Sequence, residues 1–172
     1  MNPYAPEPTA DAAATYLTAL RERLAGDGCT VTAPEWNGHR VVTGSRADRK
    51  ARWFGTKVEV FVFAAAVPEV DVADLAEFTG WAMGYAKGLR SGVPGARNAA
   101  MVLPALVSTR VRPEAARWAA EDARILGTTL IGRPLTVETT PGGTRTTMYR
   151  GQVQWGGLFT RHVLEKAALY FP

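Results

Sequence analysis

The chain is short of cysteine, histidine and lysine, and it has no long apolar run. Its one cysteine, Cys29, has no partner for an internal disulfide, so nothing points to an oxidising compartment. Histidine is limited to His39 and His162. Neither stands at a ligand spacing such as H-x-x-x-H or C-x-x-C, which excludes the common zinc motifs and predicts no metal and no cofactor. No apolar run approaches the roughly 20 residues that cross a bilayer, so no membrane partner is expected. The start, Met1 to Pro8, lacks the basic and apolar regions of a signal peptide. These absences place the chain in the cytoplasm. A G-x-S-x-G nucleophile elbow is also missing. Cys29 opens a strand on the inward register, where a thiol behaves as a small hydrophobe. No catalytic residue is assigned.

What is present suits one globular domain. At 172 residues, 47% apolar and 21% charged, the chain can bury a stable core without staples. Sixteen of its 20 basic residues are arginine and four are lysine, for a net charge of +4. Abundant Ala, Gly, Arg and Val with little Lys matches the coding bias of a GC-rich bacterial genome. Arginine in addition suits carboxylates and phosphates through its planar fork.

The run Trp53 to Val67 organises the chain. Val58, Val60 and Val62 alternate with Glu59, Phe61 and Phe63, as a strand requires, and its end is wholly apolar, as in a strand covered on both faces. Residues 1–8 read as a flexible tail and 9–172 as a single domain. A helix starts at Thr9 or Asp11 and runs to about Ala25, with Ala13, Tyr16, Leu17, Leu20 and Leu24 on one stripe. Cys29 to Ala33 and 39–43 form a hairpin about Asn37-Gly38, the pair preferred where both turn residues need positive φ. Residues 45–52 form a charged connection.

Asp71 caps a second helix, Val72 to about Leu89, with Val72, Leu75, Phe78, Ala82, Tyr85, Ala86 and Leu89 on its buried stripe. Gly80, Ala82, Gly84 and Ala86 leave one side nearly bare for close packing. Residues 99–108 form a buried strand in which Pro104 demands a bulge or an edge position. A third helix starts at Arg112-Pro113 and closes at Gly127. Leu130-Ile131 with Leu135 to Glu138 make one hairpin arm, and Thr146 to Trp155 the other. Leu158 to Phe171 form a last helix with Leu158, Phe159, Val163, Leu164 and Ala167 inward. The predicted fold class is α+β, a mixed sheet with helices packed on it, in the order α-β-β-β-α-β-α-β-β-α.

Three sets of residues are candidates for binding. Arg46, Arg49, Lys50 and Arg52 precede Trp53 and Phe54, a combination of charge and stacking surface that can hold nucleic acid. Lys87, Arg90 and Arg97 bracket the glycine-rich loop 88–98 and can hold an anionic small ligand through side chains. The loop follows a helix and opens a strand, which is the wrong polarity for a dinucleotide loop. Trp36 and Trp155 sit beside turns, where they can mark a partner surface.

The element order of residues 10–109 resembles restriction-endonuclease-like nucleases. That resemblance implies an acid on the second strand and a Glu/Asp-x-Lys on the third. Here the third strand reads Lys57-Val58-Glu59-Val60-Phe61. Glu59 takes the acidic position and Phe61 stands where the lysine belongs. The resemblance implies Glu59 beside Asp48 or Glu22 around a divalent cation. Read from the residues alone, Glu59 is an edge-exposed strand residue or one paired with Lys57 or Arg40. Val102 to Ser108 and the Tyr149 to Gly156 arm also resemble small bacterial α+β proteins that carry no functional name. The leading expectation is a non-catalytic interaction or regulatory module with a protein partner or self-association. The alternatives are nucleic-acid binding at 46–54 and anionic-ligand binding at 88–98.

Overall fold

The computed structural model describes residues 8–90, 98–126, 130–153 and 157–172, with side chains from residue 12 onward. The expectations for the tail at 1–7, the loop at 91–97, Gly127 and Trp155 lie outside them. The described residues form four α-helices and nine strands, in an α+β fold with one mixed sheet. The order is α1 (Pro8–Gly26), β1 (Thr30–Thr32), β2 (Glu35–Trp36), β3 (His39–Arg49), β4 (Lys57–Ala66), α2 (Val72–Leu89), β5 (Asn98–Ser108), α3 (Pro113–Glu121), β6 (Arg124–Leu126), β7 (Leu130–Gly132), β8 (Leu135–Thr140), β9 (Gly143–Met148) and α4 (Thr160–Tyr170).

The strand built on residues 57–66 is central. β4 pairs antiparallel with β3 from Val41–Ala65 to Arg49–Lys57 and parallel with β5 from Lys57–Asn98 to Ala66–Val107. The parallel pair needs a crossover, and α2 supplies it. Asp71 caps α2, its Oδ1 accepting the Asp74 N–H at 2.8 Å. Asn37 and Gly38 have φ of 47° and 78°, so the expected tight turn joins β2 to β3.

Strand alternation divides the core in two. Val58, Val60, Val62, Met101, Leu103 and Val107 pack beneath α1 and α4, with Leu20 and Leu24. Phe61, Phe63, Ala65, Val102 and Leu106 pack beneath α2 and α3, with Leu75 and Phe78. The predicted core positions Val58, Val60, Val62, Leu103, Leu106, Val107, Leu20, Leu75 and Phe78 are all buried, and Leu17 is half-buried. At Gly44 a Cβ would stand 2.8 Å from Leu24 Cδ2. A bare backbone there lets α1 lie close on β3.

Several local expectations are corrected. Residues 45–49 are strand, not connection, because nine residues of β3 pair with β4 and that ladder overrides their polarity. Pro104 lies in the middle of the sheet. β5 pairs with β7 over Ala100–Val102 and with β8 over Ala105–Ser108. The Val102 carbonyl accepts the Arg133 N–H at 2.8 Å, so backbone alternation turns the Pro104 nitrogen to that same side, at the gap where β7 gives way to β8. The missing donor therefore breaks no ladder bond. Leu130 to Glu138 are accordingly two strands rather than one arm.

α3 stops at Glu121, and Arg124–Leu126 pair with β7 as an edge strand. β9 ends at Met148. Leu158, Tyr85 and Leu89 are exposed. Leu158 sits in a 3-10 turn ahead of α4, off its stripe. The four small residues of α2 do not make one bare side: Ala82 and Ala86 are buried in the core, while a Cβ on Gly80 or Gly84 meets nothing within 4 Å.

Candidate functional site

The clearest concavity lies on the α2 side of the sheet. The hairpin turn at Asn37-Gly38 sets the pairs Trp36–His39 and Glu35–Arg40. Beyond the break at Ala33-Pro34 the same register continues as Thr32–Thr43 and Thr30–Ser45. β3 carries it to β4, with Thr43 beside Phe63 and Ser45 beside Phe61. The result is a floor of two rows across three strands, Thr30–Ser45–Phe61 and Thr32–Thr43–Phe63. Hydroxyls occupy the outer strands and rings the inner one. α2 covers β4 and β5 but stops short of β1. Tyr85 and Leu89 on its last turns make one wall, and Ala33 and Pro34 close an end of a pocket of about 360 Å³. Tyr85 meets the Phe63 ring edge-on at 5.7 Å. Thr32 and Thr43 hydrogen-bond each other through their hydroxyls.

The opposite side carries a charged network that fastens α4 to the sheet. Arg46 on β3 grips Asp48 with two bonds, Nε–Oδ2 at 3.0 Å and Nη2–Oδ1 at 2.6 Å, and its Nη1 reaches Asp27 Oδ2 at 2.9 Å. Lys166 and Tyr170 on α4 both donate to the Asp27 carboxylate. His162 is 2% exposed. Its Nε2 lies 3.1 Å from Asp48 and its Nδ1 3.4 Å from Lys50 Nζ. Lysine has only donors, so Nδ1 accepts and the Nε2–H donates to Asp48, which fixes a neutral tautomer.

Burial lowers the His162 pKa, and Lys50 adds to this against the pull of Asp48. Burial alone would raise the Asp48 and Asp27 carboxyls. Arg46, Lys166 and Tyr170 outweigh it, and both titrate below the usual range. Burial also raises the Tyr170 hydroxyl and the Cys29 thiol. With Tyr170 donating to Asp27, the Cys29 thiol donates to Tyr170 Oη, 3.4 Å away. A protonated, half-buried thiol is a poor nucleophile. The network is a clamp whose donors and acceptors are engaged within the protein.

The predicted site residues fall into different places. Arg46 belongs to the clamp. Lys50 and Arg52 stand over the Trp53 ring at 5.2 and 5.8 Å, and Trp53 is itself 1% exposed. It packs edge-on against Phe159 and His162 and is not a stacking platform. Arg49 is exposed and bonds the Gly55 carbonyl. Phe54 is 76% exposed.

Lys87 is exposed, and Arg90 donates to the Asn98 carbonyl at 3.1 Å. Neither is among the residues lining the pocket, and Arg97 lies outside the described residues. Trp36 is corrected from partner surface to core: it is 5% exposed and packs edge-on against Phe78 at 4.9 Å. The β2–β3 turn folds it inward over α2. Glu59 is buried and pairs with Lys57 at 3.4 Å. Its neighbours across the sheet are Ala47 and Ala100. Asp48 stands opposite Val58 and points to the other face, so Glu59 and Asp48 cannot share a cation. Among the described residues no group of three or more His, Cys, Asp or Glu is placed to hold a metal. No described helix is long and apolar enough to cross a membrane.

The hydroxyl floor escaped sequence reasoning, although its signal was present. Thr30 and Thr32 alternate on β1, Thr43 and Ser45 on β3, and the turn at Asn37-Gly38 specifies which face which. No family model matches the chain, and no curated protein matches it.

Proposed function

We propose that the protein is a non-catalytic binding module and that its ligand site is the pocket between β1, β3, β4 and the C-terminal end of α2. The observation that carries this is the half-enclosed space of about 360 Å³, within the size range of small-molecule sites and lined by apolar walls with a few convergent polar groups. Absence of catalysis is part of the proposal because the clustered titratable groups lie under α4, engaged with one another. We place the protein in the cytoplasm, since Cys29 is a free thiol. Nucleic-acid binding through 46–54 has less support, because Trp53 is buried and Arg46 is held by two carboxylates.

Amide-detected NMR with a fragment library tests the reading. Binders are expected to shift Thr30 to Ala33, Thr43 to Ser45, Phe61 to Phe63 and Tyr85 to Leu89 together. Shifts confined to α4 or to residues 49–54 would refute it.

A further inference from the structure

The build of this pocket also defines the chemistry of its occupant, on the premise that the pocket is the binding site. Its floor spans three strands, two spacings of about 4.8 Å, and two same-face residues along each strand, about 7 Å apart. The pocket of about 360 Å³ above that floor has room for a flat body of two fused rings, roughly 10 by 7 Å. Polarity runs in one direction across that floor. Phe61 and Phe63 are buried at the inner end, so the apolar surface open to a ligand is that of Tyr85 and Leu89, while the outer strands offer hydroxyls. Thr32 and Thr43 are bonded to each other, which leaves Thr30 and Ser45 to meet a ligand. A hydroxyl both donates and accepts, so it matches a ligand hydroxyl or carbonyl equally.

Charge settles the rest. None of the described lining residues is charged. A carboxylate or phosphate taken from water into such a site would lose hydration that no described lining side chain replaces with a cation. The geometry points to a neutral, planar two-ring aromatic ligand carrying a hydroxyl or carbonyl on one edge, its rings against Tyr85 and Leu89 and its polar edge on Ser45 and Thr30.

Titration with β-naphthol, naphthalene, β-naphthalenesulfonate and inorganic phosphate tests this on the whole chain. β-Naphthol is expected to bind most tightly. Ser45→Ala removes one hydroxyl and no core packing. It should weaken β-naphthol about three- to tenfold, the worth of one neutral hydrogen bond, and leave naphthalene unchanged. Thr30→Trp, at an exposed edge position, should fill the pocket and abolish both. Its fold is checked by circular dichroism, with Thr30→Phe as the second filler.

If the sulfonate or phosphate binds more tightly than β-naphthol and Thr30→Trp blocks it, the ligand class is overturned and the pocket stands. If no probe responds to either filler, both are overturned. If the free protein is a dimer that Thr30→Trp dissociates, a second copy occupies the groove and the small-ligand inference falls.

Discussion

The two faces of the sheet are closed in different ways. Under α1 and α4 the apolar layer reaches the sheet edge, where charged groups seal it. Asp27 follows α1, Arg46 and Asp48 extend from β3, and His162, Lys166 and Tyr170 come from α4. Under α2 and α3 the layer is just as dry at its centre, with Leu75, Phe78 and Leu106 fully buried. It ends before β1, and hydroxyls with the Tyr85 and Leu89 side chains face open space there. Charges can seal an edge only when each has its counterpart within reach, because an unpaired buried charge costs several kcal/mol. Hydroxyls tolerate either water or a ligand. One face is thus committed to stability, and the other keeps a surface for recognition.

Core truncation should produce the largest effect. Phe78→Ala removes a fully buried ring beneath α2 and is expected to cost about 3–5 kcal/mol in urea unfolding. A much smaller loss would mean that the α2 face is looser than described.

The clamp comes next. Asp48→Ala strips Arg46 of its two-bond partner and His162 of its acceptor. About 1–3 kcal/mol should be lost, with pocket ligands bound as before. If ligand affinity falls as well, the two faces are coupled.

Acid should act on the clamp first. The folded His162 pKa lies below its ordinary 6.5, so between those values the unfolded chain binds the extra proton and stability falls as pH drops. Asp27 and Asp48 are lowered from 3.8; their contribution is present above that value and is lost as pH falls toward the folded pKa. Thermal melts should therefore be level near neutrality, decline below about pH 6.5, and steepen in stronger acid. His162→Gln should flatten the first decline and spare the second. A profile unchanged by that substitution would remove His162 from the account.

The least effect is expected at Arg161→Ala. It breaks an exposed pair with Glu165 at 2.8 Å, and the melting temperature should stay within error of the parent, as for most surface ion pairs. A clear loss would extend the clamp to the outer side of α4.

Local chemistry was legible wherever a residue settles its own conformation or period. Asp71 announced the start of α2, Asn37-Gly38 the hairpin, and the valines of 58–62 a strand with two dry faces. Glu59 with Lys57 was legible too, since alternation puts both on one face. The clamp was not legible, because Asp27, Asp48 and His162 are far apart in the chain and meet only when α4 docks on β3. Trp36 was misread for the same reason: a tryptophan beside a turn is exposed or buried according to what lies across from it, and here Phe78 does.

The sequence by itself therefore determined most of the element types, the alternation that sorts residues onto two faces, and, through one two-residue turn, the register of the hydroxyl floor. Only the tertiary structure decided that 45–49 pair as strand, that Pro104 sits at the gap between β7 and β8, and that α2 stops short of β1. Backbone preference and side-chain period act within a few residues. Which surface covers which face depends on how whole elements pack, and that balance of burial and pairing is struck between residues a hundred positions apart.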